Sequence, residues 1–73
     1  MKEVSNDTFR AVKEDILDNY WFVISSENSV IGRVFVHTNG THKLLLYSAL
    51  NTSELPALTD ICERIKQAEL CTG

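Results

Sequence analysis

The spacing of apolar and polar residues changes along the chain, and each spacing predicts a different element. Over residues 6–19 the apolar side chains recur every three or four positions with charged residues between them, which is typical of an amphipathic helix. Ser5 suits the N-cap of this helix, and Val4 with Phe9 has the spacing of a hydrophobic staple. The pattern therefore predicts a helix over 6–19.

Three segments rich in β-branched and aromatic residues follow, at 20–24, 30–38 and 41–50, with a polar turn cluster between the first two. Asn39-Gly40 separates the second segment from the third. An Asn-Gly pair in this position is a strong hairpin signal, because a type I′ turn needs a positive φ at both central residues. We expect three antiparallel strands that follow one another in chain order.

The last segment has helical spacing again. Asn51 and Glu54 resemble a capping box, and Pro56 falls in the first turn, where its missing N–H is tolerated. One face of the predicted helix is apolar and consists of Leu55, Leu58, Ile61, Cys62, Ile65 and Ala68. The predicted fold class is α+β: a three-stranded antiparallel β-meander flanked by N- and C-terminal helices (α-β-β-β-α), in a single small domain over residues 1–73.

A two-residue turn at Asn39-Gly40 determines which side chains share a face of the hairpin, because side chains alternate along each strand. One face is almost wholly apolar and is the expected floor for the helices. The other carries a set of side chains that we interpret as a partner-binding surface: Ile31, Arg33, Phe35, Leu44 and Leu46. Its large apolar groups are too many to leave in water on so small a protein. Either the two helices lie on opposite faces of the sheet, or another chain covers this surface.

The same register places His37 directly opposite His42, with Cβ atoms about 5 Å apart. Two imidazoles at this separation can hold a transition metal or respond to pH. A zinc site needs three or four protein ligands, however, and no third ligand is placed nearby. We therefore predict two solvated histidines, no bound metal and no cofactor, and keep a metal- or pH-responsive sensor as an alternative function.

The length of 73 residues allows one domain, which buries only about 60% of the surface that its unfolded form exposes. Domains of this size usually gain support from disulfides, metals or partner subunits. Cys62 and Cys71 would be separated by roughly 13 Å along the predicted helix, too far for a disulfide, so we expect free thiols in a reducing compartment. The need for extra burial then favours a homodimer.

The net charge of −3 argues against a nucleic-acid-binding surface, which needs clustered Lys and Arg. The N-terminal residues contain no apolar signal core, and no apolar run approaches membrane-spanning length, so the expected location is cytoplasmic with no membrane association. The sequence also lacks a Gly-rich phosphate loop, a nucleophile elbow and a Cys–His pair with an orienting residue. We do not expect an enzyme.

The predicted order α-β-β-β-α is similar to that of the double-stranded RNA-binding domain, whose last helix begins with a Lys-rich segment. Residues 51–60 contain no basic residue here, which disfavours RNA binding. The run Leu44 to Leu50, followed by Leu55-Pro56 and an amphipathic helix, is similar to the strand–LP–helix pattern of type III secretion chaperone-like proteins. That resemblance covers only the α-β-β-β-α portion, about residues 9–68, and implies an acidic homodimer that binds other polypeptides.

These observations favour a small acidic protein-interaction module, a regulator, inhibitor or adaptor of the kind common in bacteria and phages. We expect it to bind a protein partner and to self-associate through the partly apolar sheet face. Phe35, Leu44 and Leu46 would be the apolar anchors, with Arg33 at the rim. A nucleic-acid-binding domain is the least favoured alternative.

Overall fold

The computed structural model describes residues 2–14, 20–37 and 39–70. In these residues five strands form one antiparallel sheet in chain order, followed by a 3-10 turn and one α-helix. The elements are β1 (Lys2–Ser5), β2 (Phe9–Lys13), β3 (Tyr20–Ser25), β4 (Val30–Val36), β5 (His42–Leu46), the 3-10 turn Thr52–Glu54 and α1 (Leu55–Leu70). The predicted three-stranded meander with a helix at each end is wrong.

The segment predicted as the N-terminal helix forms the β1–β2 turn and strand β2, up to Lys13, and residues 15–19 of that prediction lie outside the described residues. Asn6 organises the turn between the strands. Its Oδ1 accepts the backbone N–H groups of Thr8 (2.9 Å) and Phe9 (2.7 Å), and its own N–H donates to the Phe9 carbonyl. An Asx turn of this kind competes with helix formation, because the side chain satisfies the backbone donors.

A β-bulge interrupts the pairing of β3 with β4. Val23 lies opposite Gly32 and Ile24 lies opposite Val30, which leaves Ile31 as the extra residue. The Ile31 side chain is buried, and its carbonyl accepts the Tyr47 N–H at 2.8 Å. The bulge therefore directs Ile31 into the core.

Three residues close the β4–β5 hairpin, not the two that a type I′ turn requires. His37 N–H donates to the Thr41 carbonyl (2.8 Å), and Gly40 N–H donates to the His37 carbonyl (3.0 Å). Gly40 has a φ of +88°, and Asn39 has no positive φ. This arrangement is a turn that ends in a left-handed glycine, the usual form of a three-residue hairpin loop.

The longer loop shifts the strand register by one residue from the expected one. Val36 lies opposite His42, Val34 opposite Leu44 and Gly32 opposite Leu46. A one-residue shift moves every side chain of the displaced strand to the other face of the sheet.

α1 lies across one face of the sheet, which we call the helix-side face, and contacts β1, β2 and β4. Its buried residues pack with buried sheet residues to form the core: Phe9, Ala11, Trp21, Val23, Ile31, Val34, Leu58, Ile61, Cys62 and Ile65. Pro56 lies in the first turn of α1, where it removes no helical hydrogen bond. None of the helices in the described ranges is long and apolar enough to cross a membrane.

Two sets of hydrogen bonds join α1 to the sheet. At one end, Asn6 Nδ2 donates to the Ala57 carbonyl (2.9 Å) and to Asp60 Oδ2 (3.0 Å). At the other end, Glu69 Oε1 accepts Lys13 Nζ (2.6 Å) and Trp21 Nε1 (2.9 Å). Lys13 is only 6% exposed, so Glu69 supplies the partner that a buried ammonium requires.

Candidate interaction surfaces

The face of the sheet opposite α1, which we call the open face, carries a cluster of three aromatic rings. The Tyr20 and Phe22 ring centroids are 5.3 Å apart with an edge-on geometry, and Phe35 lies 5.3 Å from Tyr20 at a tilt of 54°. All three side chains are partly buried. No strand or helix in the described ranges lies over them, because the only α-helix there packs on the helix-side face.

Arg33 lies in the middle of this cluster. Its guanidinium carbon is 5.5 Å from the ring centroids of both Tyr20 and Phe35, a distance typical of cation–π contact. Arg33 Nε is buried and has no hydrogen-bond partner within the described part of the chain. A buried donor without an acceptor costs about 1–3 kcal/mol, which the contacts of the guanidinium with the two rings partly offset.

Strand pairing shows that the cluster continues across the sheet. Val12 lies opposite Phe22, Phe22 opposite Arg33, and Arg33 opposite Leu45. These four side chains form one row over β2 to β5. Leu45 is 46% exposed, so the row ends in an apolar group that is open to solvent.

The open face is cationic although the chain is acidic. By strand alternation, the charged side chains that the five strands place there are Arg10, Arg33, Lys43 and Glu3. Glu3 also lies 3.8 Å from Arg10 and partly offsets it. The excess of positive charge makes an acidic surface the best electrostatic match.

The second candidate surface is β5, which is one edge of the sheet and is exposed along its whole length. Leu44 and Leu46, on the helix-side face, are 38% and 39% exposed. A groove of ≈ 260 Å³ separates β5 from α1, with Leu44 on one side and Leu55, Leu58 and Cys62 on the other. An exposed apolar edge strand is a template for pairing with another strand.

The structure divides the five residues that the sequence predicted as one partner-binding surface. Arg33 and Phe35 lie together on the open face. Leu44 and Leu46 lie on the helix-side face of β5, because the register is shifted by one residue. Ile31 is buried in the core at the bulge.

Tyr20 and Phe22 belong to the aromatic cluster but were not predicted as site residues. The run 20–24 is apolar at every position, so alternation alone does not show which of its side chains face the core. The pairing of Tyr20 with Phe35 and of Phe22 with Arg33 supplies that information. Predicting that Tyr20 and Phe22 belong to the cluster would have required the correct register between β3 and β4.

The two histidines are not cross-strand partners. His42 lies opposite Val36, and the hydrogen bond from His37 to the Thr41 carbonyl places His37 at the hairpin end. Within the described residues no group of three or more His, Cys, Asp and Glu side chains is arranged to hold a metal ion.

Two further features bear on chemistry. Burial raises the pKa of the Cys62 thiol, and the Glu63 charge adds to this effect, so the thiol stays protonated at neutral pH. A polar groove between the β1–β2 turn and α1 contains Asp60 and Arg64, which pair at 2.8 Å. Hydrogen bonds from Asn6 and Arg64 hold the pKa of Asp60 below its ordinary value. Neither feature resembles a nucleophile or an acid–base pair.

No protein-family model matches the chain, and neither curated proteins nor solved structures show a significant similarity to it. The resemblance to type III secretion chaperone-like proteins depended on the order α-β-β-β-α, which is not the observed order.

Proposed function

We propose that this protein is a small non-enzymatic protein-interaction module, a cytoplasmic regulator, inhibitor or adaptor, which binds an acidic protein surface through its open face and also self-associates. The observation that carries this proposal is the cluster of Tyr20, Phe22 and Phe35 around Arg33. The free thiol of Cys62 is in keeping with a reducing compartment.

The composition of the cluster supports a binding role. Aromatic residues and arginine are enriched at the centres of protein interfaces, where they account for most of the binding energy. Here the rings already contact one another and Arg33, so little side-chain entropy remains to be lost on binding.

The electrostatics of the same face define the partner. Arg33, Arg10 and Lys43 place positive charge around the rings. A partner that carries a carboxylate among apolar side chains would satisfy the guanidinium and bury the rings together. The alternative function, a metal- or pH-responsive sensor, has weaker support because His37 and His42 are not opposed.

Affinity capture from the source cell, followed by binding measurements with the purified partner, tests this proposal. We expect Phe35→Asp and Arg33→Glu to weaken binding about tenfold or more, since both act at the centre of the open face. Leu70→Asp is the matched control, because Leu70 is 54% exposed on α1, which packs on the opposite side of the sheet.

Wild-type affinity in both open-face variants would overturn the proposal. Two controls test for nucleic acid. The affinity capture is repeated after nuclease treatment, and the purified protein is mixed with single-stranded RNA and DNA in mobility-shift assays at low salt. Binding to nucleic acid that is lost in Phe35→Asp would assign the open face to a different class of partner and would equally contradict the proposal.

A further inference from the structure

The direction of the backbone groups on β5 follows from two hydrogen bonds at its ends. His37 N–H donates to the Thr41 carbonyl, and Tyr47 N–H donates to the Ile31 carbonyl. Antiparallel strands alternate between hydrogen-bonded and non-hydrogen-bonded pairs, so Lys43 and Leu45 must also direct their backbone groups towards β4. The N–H and C=O groups of His42, Leu44 and Leu46 therefore point out of the sheet at its free edge.

We propose that β5 pairs antiparallel with β5 of a second copy of this chain, about a two-fold axis at Leu44. This inference deepens the self-association in the proposed function and does not depend on the partner of the open face. Leu44 then lies opposite Leu44 of the second copy, and His42 lies opposite Leu46. Each of these is a hydrogen-bonded pair, because both members direct their backbone groups outward.

Only this axis uses the whole of β5. Moving it to Lys43 or Leu45 leaves an outward-facing residue at one end of the strand without a partner inside β5. An axis at Lys43 would also place two ammonium groups directly opposite each other, which is destabilising. With the axis at Leu44, Lys43 lies beside Leu45 of the second copy, and its aliphatic stem can cover that side chain.

The same axis buries apolar surface on both faces of the joined sheet. A two-fold axis perpendicular to the sheet does not turn either sheet over. The two helices therefore lie on one side of the joined sheet, and the two open faces lie on the other. On the helix-side face Leu44 meets Leu44 of the second copy and Leu46 meets His42, and on the open face Leu45 meets Lys43. These leucines are 38–46% exposed in one chain, so each has surface left to bury.

Other modes of self-association fit the structure less well. Two open faces in direct contact would bring together two surfaces with an excess of positive charge. The other edge strand, β1, carries Lys2 and Glu3 in four residues and is contacted by α1. Pairing of β1 with β5 would be head-to-tail and would form rings or open-ended polymers instead of a two-fold dimer.

A charge swap at the axis tests the proposal. Sedimentation at tens of micromolar should give the mass of two chains for the wild type and of one chain for Leu44→Glu and for Leu44→Lys alone, since each variant opposes like charges. An equimolar mixture of the two variants should restore the dimer. Leu70→Glu is the matched control, because Leu70 is 54% exposed on α1 and lies outside β5, and this variant should remain dimeric.

Amide hydrogen exchange supplies a measurement that does not depend on any variant. Protection of the Leu44 and Leu46 amides should increase with protein concentration, because their N–H groups bond only in the dimer. The Lys43 and Leu45 amides, which bond to β4, should be protected at every concentration. A monomeric wild type, a mixture that stays monomeric, or loss of the dimer in Leu70→Glu would overturn the proposal, as would equal exchange of all four amides.

The two proposals fail separately. Phe35→Asp should lose the partner and remain a dimer, whereas Leu44→Glu should become a monomer that still binds the partner. Wild-type binding by Phe35→Asp therefore contradicts only the function assigned to the open face, and dimerisation of Leu44→Glu contradicts only the β5 pairing.

Discussion

Lys13 is a lysine inside a very small core, and its position is explained by Glu69. Lysine is rarely buried unless it is paired, and here Nζ lies 2.6 Å from Glu69 Oε1, with side chains that are 7% and 21% exposed. Partial burial pushes the pKa of Glu69 up, but the hydrogen bonds from Lys13 and Trp21 outweigh it and hold that pKa below its ordinary value of 4.5. The carboxylate therefore links the last turn of α1 to β2 and β3.

This linkage predicts acid sensitivity. Because the pKa of Glu69 is lower in the folded chain than in the unfolded one, its stabilisation is present above the unfolded pKa and is lost as pH falls through the folded pKa. Glu69→Gln should lower the free energy of unfolding by about 2 kcal/mol at neutral pH and flatten its decline below pH 4.5. Urea unfolding of both proteins at several pH values measures this, and parallel pH curves would contradict it.

Gly32 is required for the close approach of β5. A Cβ added at Gly32 would lie 2.5 Å from the Leu45 carbonyl oxygen and 3.3 Å from Leu46 Cα, so the backbone of β5 would have to move. We expect Gly32→Ala to lower the free energy of unfolding by about 1–3 kcal/mol, as overpacking does elsewhere. Gly40→Ala is the comparison, since a Cβ there meets no atom within 4 Å and only the positive φ is strained. Unchanged stability of Gly32→Ala in urea would refute this account.

At the scale of elements, the β1–β2 turn depends on Asn6. Asn6→Ala removes the acceptor for two backbone N–H groups and the donor to the Ala57 carbonyl, so the hairpin loses both its turn and its tie to α1. We expect a loss of about 1–2 kcal/mol in the free energy of unfolding, measured by urea denaturation. Asp60→Ala removes only exposed contacts, with Asn6 and Arg64, and should lower the free energy of unfolding less than Asn6→Ala does. Equal effects of the two substitutions would contradict this role.

The same turn explains why the N-terminal helix prediction was wrong. Phe9, Ala11 and Lys13 alternate inward along β2, while Phe9 and Val12 also satisfy helical spacing, so the segment fits both periods. Asn6 decides between them through contacts with Ala57 and Asp60, more than fifty residues away. Local periodicity carries no information about such contacts.

The later elements were recognisable from the sequence, because strand propensity and helical spacing agree there with the final packing. They are the strands around 20–25, 30–36 and 42–46 and the helix over 55–70.

The candidate surfaces were only partly predictable, because alternation along one strand does not give the register between two strands. Phe35 and Arg33 share a face by simple alternation along one strand, which the sequence shows directly. Assigning Leu44 and Leu46 to the same face required the loop length of the hairpin. An Asn-Gly pair also occurs in a three-residue loop that uses only the glycine in the left-handed conformation, and this is the form observed.

At the scale of the whole molecule, sheet and helix share one core and should unfold together. Trp21 is fully buried and bonds to Glu69, so its fluorescence reports the docking of α1 on the sheet. We expect the fluorescence transition in urea to coincide with the loss of far-ultraviolet circular dichroism, as in two-state unfolding. Urea titrations at two protein concentrations show how much dimer dissociation contributes to the unfolding transition. A fluorescence transition well before the loss of circular dichroism would show that the helix detaches from a persistent sheet.

The helix that completes this core follows all five strands in the chain, and this order has a consequence during synthesis. Hairpins between neighbouring strands form in about 1–10 μs, whereas a ribosome adds about 5–20 residues each second. Residues 51–70 therefore take about 1–4 s to make after the last strand is complete. Until α1 is made, the strand segments have no helix to cover Trp21, Val23 and Val34, and these side chains are then accessible to chaperones, proteases and neighbouring chains.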